Sequence, residues 1–169
     1  ILVVNKNGTY YTTDYDLSNH YEEGFSVLEK YEPEKVWSAV FFDAEQQFYY
    51  LKRFRFENVA RHTLFIGETE GSYLVALSGE KRPRFEVVFG GRYESRPAEV
   101  IVADEFIAEK SYKARGKRVT TYEVKQINEI EPLDSGEEES EETVSTDIDF
   151  EITNPDMLSD ETQMKLDFE

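Results

Sequence analysis

Between Glu109 and Val124 the chain reads EKSYKARGKRVTTYEV, a stretch whose side chains could neutralise phosphate. Lys110, Lys113, Arg115, Lys117 and Arg118 fall within nine residues around one glycine, Gly116, with no acid between them, although the whole chain carries a formal net charge of −17. A glycine at that point permits positive φ and brings backbone close to whatever the cations hold, and phosphate is the usual occupant of such a concavity. The competing reading is a solvated charged turn. Val119 to Val124 follows in β-rich residues, Thr120, Tyr122 and Val124 alternating with Val119, Thr121 and Glu123, the period of a half-buried strand. Further cations recur along the chain. Lys52, Arg53 and Arg55 interleave with Phe54 and Phe56, which in a strand sends the aromatics inward and Arg53 and Arg55 outward together. Lys81, Arg82 and Arg84 lie in or beside a turn, and Arg92 and Arg96 follow Gly90-Gly91. Separate cationic patches, one per structural unit, suit a ligand that runs past all of them, as a duplex polyanion does.

The same search finds no catalytic set. Cysteine is absent, which excludes disulfides, zinc ribbons and thiol chemistry and accords with a reducing compartment. His20 and His62 stand apart and outside any ligand pattern, so no metal site is expected. Arg92-Tyr93 is a lone dipeptide between Gly91 and Glu94, and Gly90-Gly91 is not followed by the Lys-Ser or Lys-Thr of a nucleotide loop. The carboxylates of Glu137 to Glu139, Glu141 and Glu142 sit in a polar run that could draw magnesium only weakly. No chemistry of its own, and no cofactor, is expected of this segment.

The elements that must position the cations read as short strands. Twelve Phe, 11 Tyr and one Trp favour sheet over helix. Ile1 to Thr13 is a hairpin pattern around Asn7-Gly8, and Asp14 to Gly24 is irregular. Phe25 to Tyr31 reads as a strand ended by Pro33, and Val36 to Phe42 with Gln47 to Phe56 as a second hairpin. Ser72 to Leu77 with Arg84 to Phe89 reads as a third, and Ala98 to Ala103 with Phe106 to Ala108 as a fourth. Turns at Asn5, Asp43, Ser78 and Asp104 recur loosely, the rhythm of blades or stacked sheets. The chain opens at Ile1 inside a strand-like run, so a longer parent chain is expected. No apolar run approaches the roughly 18 residues of a membrane span, and no membrane partner is expected.

Charge divides the chain at about residue 133. Leu133 to Glu169 holds 14 acids and one base, a net of −13, which leaves Ile1 to Pro132 at −4. The expected organisation is a β body over 1–133 and an acidic, disordered tail over 134–169, whose apolar residues Ile148, Phe150 and Ile152 could dock on a basic partner.

The runs ILVVNKNGTYYTTDYDL, EKVWSAVFFD, YYLKRFRFE, PRFEVVFGG and DEFIAEKSYKARGKRVTTYEVKQINEIEPL resemble the C-terminal region of the A subunit of bacterial type IIA topoisomerases, topoisomerase IV of the Bacteroides type above all. The resemblance covers nearly all of Ile1 to Leu133 and none of the tail. It implies an all-β fold, a β-pinwheel of propeller-like blades whose basic edge binds and bends duplex DNA. At about 40 to 45 residues per blade, the body suits about three blades in an open arc. It implies a non-catalytic part of an ATP-dependent enzyme whose cleavage tyrosine, magnesium and ATP lie elsewhere. A topoisomerase B subunit is the implied partner through the rest of the A subunit, in a cytoplasmic, nucleoid-associated setting, with the isolated segment monomeric. The DNA-binding residues that follow are Lys110, Lys113, Arg115, Gly116, Lys117, Arg118, Lys52, Arg53, Arg55, Lys81, Arg82 and Arg84. Lys113-Ala114-Arg115-Gly116-Lys117-Arg118 keeps the cations and one glycine of the gyrase wrapping box but lacks its glutamine and double glycine, so bending without full wrapping is expected. Two other readings stand beside this one. The acidic tail could be the working part of a protein-interaction module, or Tyr112, Tyr122 and Tyr73 could stack bases of a single strand. Exposure of Tyr112 discriminates the last.

Overall fold

The computed structural model describes residues 1–21 and 23–133, so the acidic tail and the roles expected of it lie outside the described residues. Eleven strands form three antiparallel sheets, and the only α-helix among the described residues is the single turn α1 (Ala103–Phe106). Sheet 1 joins β1 (Leu2–Asn5), β2 (Thr9–Thr12), β3 (Phe25–Glu29) and β6 (Thr63–Leu64) in the order β3-β1-β2-β6. Sheet 2 joins β4 (Trp37–Asp43), β5 (Phe48–Phe54), β7 (Tyr73–Ser78) and β10 (Lys117–Arg118) in the order β10-β5-β4-β7. Sheet 3 joins β8 (Arg84–Phe89), β9 (Glu99–Val102) and β11 (Val124–Ile130) in the order β11-β8-β9. None of the three closes into a barrel, and the arrangement fits an all-β, propeller-like fold.

Sheet 2 is buried on both faces. Trp37, Ala39 and Phe41 of β4 and Tyr50 and Phe54 of β5 pack against Leu2, Val4 and Tyr10 of sheet 1. Val40 and Leu51, on the opposite face, pack against Phe85, Val87 and Phe89 of sheet 3. A strand covered on both sides has no solvent face to mark with polar residues, and Trp-Ser-Ala-Val-Phe-Phe accordingly shows no alternation. Sheet 3 needs only one covered face, and β8 alternates as that requires, with Phe85, Val87 and Phe89 buried and Arg84, Glu86 and Val88 half-buried.

The first two hairpins form where the turn residues place them. Asn7-Gly8 closes β1 on β2 with Gly8 at φ +90°, and Val4 pairs with Tyr10. β4 pairs with β5 from Trp37↔Phe54 to Asp43↔Phe48. The third expected hairpin does not form: β7 pairs with β4, and β8 pairs with β9 and β11. The link between them contains Pro83, whose carbonyl accepts the Ala103 amide at 3.0 Å, and Arg82, which Asp104 and Glu105 hold at 3.0 and 2.8 Å. Those bonds carry the chain from sheet 2 into sheet 3 instead of folding it back. Phe106 to Ala108 is likewise no strand, because the Ile107 amide returns to the Ala103 carbonyl and closes α1. The strand expected over Val119 to Val124 begins only at Val124. The Val119 amide still bonds the Tyr49 carbonyl of sheet 2, whereas the Tyr122 ring packs on Phe89 of sheet 3, so the interval crosses between two sheets.

Two-sided burial predicts that neighbouring positions on β4 are both intolerant. Phe41→Ala should cost about 3–5 kcal/mol, and Val40→Ala, facing the other sheet, on the order of 1–3 kcal/mol. Urea denaturation checks this, and a neutral Val40→Ala would mean that sheet 3 does not cover that face.

Candidate nucleic-acid interface

The basic run lies at the edge of sheet 2. Lys117 and Arg118 form β10, paired with Leu51 and Tyr50 of β5. Upstream, the Lys110 amide bonds the Arg53 carbonyl at 2.8 Å, so the loop leaves the sheet at Lys110 and rejoins it at Lys117. Between these points it closes on itself, with the Ala114 amide on the Ser111 carbonyl and the Lys113 amide on Ser111 Oγ. Gly116 sits at φ +95°, and a Cβ there would lie 2.7 Å from the Leu51 carbonyl oxygen. Close approach and left-handed backbone together explain the glycine.

All five cations of the run are exposed. None has a carboxylate within ion-pair reach among the described residues. The charged groups of three of them lie near aromatic rings. Arg118 lies 3.9 Å over the Phe48 ring and Lys117 4.3 Å over Phe106, while Lys113 stands 5.8 Å from Tyr112. Ring faces of this kind fix the long side chains without neutralising them.

Of the other cations expected to meet DNA most are engaged, although Lys6, Lys30, Arg61, Arg92 and Lys125 elsewhere on the body are also exposed without a carboxylate partner among the described residues. Arg55 meets Glu34 at 2.7 Å and Glu109 at 2.8 Å, and Arg82 is held by Asp104 and Glu105. Arg84 donates to the Glu131 carbonyl at 2.7 Å, and the half-buried Arg53 donates to that of Ile107 at 3.2 Å. Lys81 is exposed. Lys52 requires a correction: it is 3% exposed and cannot reach a phosphate. Its Nζ donates to three backbone carbonyls, those of Phe65, Tyr112 (2.6 Å) and Ala114 (3.0 Å). Strand parity carries the signal, since Lys52 shares the face of Phe54, which is fully buried, and of Tyr50. Tyr112 is buried too, its ring 5.6 Å from Tyr10 in a T-shaped contact, which counts against base stacking by this residue. Of the other tyrosines considered for stacking, Tyr73 is exposed and Tyr122 half-buried against Tyr93. Phe48 and Phe106, the rests for the cations, escape sequence reasoning because they come from other elements.

Lys52, Lys113 and Arg115 line a cleft of about 830 Å³, with Leu64, Phe65 and Ile66 and the carboxylates Asp43, Glu45 and Glu68 among its other lining residues. Arg92 and Tyr93 belong to a short 3-10 turn, and His62 stacks on Tyr11 at 4.4 Å. No cluster of three potential metal ligands occurs among the described residues.

A family model, the topoisomerase C-terminal domain of Bacteroidota, matches residues 1–131. The chain belongs to this family. No curated protein and no solved structure matches it. The topoisomerase domain therefore spans all three sheets and the basic edge, and the match stops before the acidic residues 134–169.

Two outcomes follow from the geometry. Gly116→Ala should cost about 1–3 kcal/mol, the usual range for strained left-handed backbone, measured by urea denaturation. Burial pushes Lys52 from 10.5 down to about 8. Between those values the unfolded chain binds more protons than the folded one, so stability should rise with pH from about 8 to 10. Above that window the trend should reverse, because burial raises Tyr10, Tyr31 and Tyr49 above their ordinary value. A urea midpoint followed over this range should lose its rise in Lys52→Met.

Proposed function

We propose that this topoisomerase domain holds duplex DNA by its phosphates along the basic edge of sheet 2 and bends it, serving the A subunit of a type IIA enzyme. One observation carries the reading: five exposed cations, without carboxylate partners among the described residues, lie together on a loop and edge strand, in a body of net charge −4. Such a set attracts a polyanion by counterion release and needs no basic field over the whole domain. Phosphate contacts position DNA without reading its sequence, which suits an enzyme that must take whatever crossing it meets. ATP, magnesium, the B subunit and the cleavage tyrosine belong to the rest of the holoenzyme. The degenerate box around Gly116 favours bending over complete wrapping. Residues 134–169, with 14 acids, compete with DNA for the same cations at the high effective concentration of a tether.

Fluorescence anisotropy with a duplex over several salt concentrations tests this. Contact with about four or five phosphates gives a slope of log affinity against log salt near −4. Neutralising Lys113, Arg115 or Lys117 to Gln should reduce that slope by about one each and weaken unrelated duplexes equally. Removing residues 134–169 should tighten binding. Unchanged affinity and slope in all three Gln variants would refute the assigned edge, and no binding with or without the tail would refute the DNA reading.

A further inference from the structure

Lys52 occupies a place where the fold has no need of charge. It stands mid-strand in β5 on the face that carries Tyr50 and Phe54, and its ammonium lies 5.3 to 5.9 Å from the rings of Phe41, Phe54 and Phe65. An apolar side chain of similar length would fill this space without desolvating a cation. The ammonium has three N–H bonds, and the three carbonyls that receive them belong to segments outside any sheet ladder. Phe65 follows β6, whereas Tyr112 and Ala114 are the inner residues of the basic loop.

The loop has few other ties over this interval. Its backbone bonds to sheet 2 are at Lys110 and from Lys117 onward. Between them, among the described residues, the hydrogen bonds that join it to the body are the two from Lys52, beside the packing of the Tyr112 ring and the close approach at Gly116. Those two carbonyls flank Lys113 and precede Arg115, and burial alternates with them: Tyr112 is buried and Ala114 half-buried, whereas Lys113, Arg115 and Lys117 are exposed.

We propose that Lys52 is a positioning residue for the interface: its buried ammonium ties the carbonyls of residues 112 and 114 and holds Lys113, Arg115 and Lys117 in one outward row. The inference rests on the proposed DNA reading. A loop fixed beforehand loses less conformational freedom when it meets phosphate, and affinity rises without any new contact. Lys52 touches no DNA, yet DNA affinity depends on it.

The absence of cysteine from the chain permits a direct test. Lys52→Cys in the full chain is alkylated in denaturant, either with 2-bromoethylamine, which restores an ammonium at nearly the length of lysine, or with a propyl halide, which leaves a neutral chain of similar size. After refolding, hydrogen exchange at 111–118 and duplex affinity at several salt concentrations are measured. The propyl form should exchange at 111–116 at least about tenfold faster and bind DNA about five- to tenfold more weakly. Its salt slope should match the native chain, because the same cations still meet phosphates. The aminoethyl form should recover both. Lys52→Met should repeat the propyl result without labelling. Equal exchange and equal affinity in the two alkylated forms would overturn the proposal. Folding of the aminoethyl form alone would make Lys52 a requirement of the fold and overturn the positioning role. Loss of DNA binding from the native chain itself would defeat the DNA reading, while loop exchange would still decide the tether.

Discussion

Burial of sheet 2 on both faces is the constraint from which the rest of the arrangement follows. Its two central strands, β4 and β5, give one face to Leu2, Val4 and Tyr10 and the other to Phe85, Val87 and Phe89. A sheet so covered can offer a partner nothing but its edges. One edge is β7, and the other is β10, which is two residues long and consists of Lys117 and Arg118. A short, charged edge is a common defence against unwanted strand pairing. Here the same two residues continue a loop of three further exposed cations, so positive charge is concentrated along this edge.

The distribution of charge is consistent with that division. Arg55 and Arg82 are each bound by two carboxylates, which fastens Arg55 to Glu109 at the start of the loop and Arg82 to α1. Both act as struts, and neither adds much field. Surface ion pairs contribute little energy individually, but Arg55 ties the end of β5 to the start of the loop and Arg82 ties the β7–β8 link to α1. Lys117 rests on Phe106 of the same α1, so one helical turn contacts both a compensated arginine and an uncompensated lysine. A net charge of −4 over the body gives no sign of the five cations clustered at this edge.

Much of the architecture was legible in the residues because local chemistry determined it. Asn7-Gly8 demands a tight hairpin, and the apolar run Val36 to Phe42 demands a covered strand. Reading failed where partners are distant. Ser78-Gly79-Glu80 looks like a hairpin turn, yet the contacts of Pro83 and Arg82 with residues around 103–105 send the chain to another sheet. Val119 to Glu123 has strand composition but bridges two sheets. At the basic edge, the positive φ of Gly116 and the exposure of its five neighbouring cations were legible from type and spacing. Lys52 was grouped with them by charge, although its parity with Phe54 placed it inside. Its acceptors, Phe65, Tyr112 and Ala114, are backbone atoms, and backbone carbonyls leave no mark in a side-chain pattern.

The most direct measurement of the central claim is an amide NMR titration of the full chain with a short duplex of arbitrary sequence. The account predicts shifts that saturate together at Lys110, Lys113 and Arg115 to Arg118, with the neighbouring β5 amides following weakly and sheet 1 edge strand β3 unmoved. Shifts confined to other surfaces, or spread evenly over all three sheets, would contradict a binding edge on sheet 2.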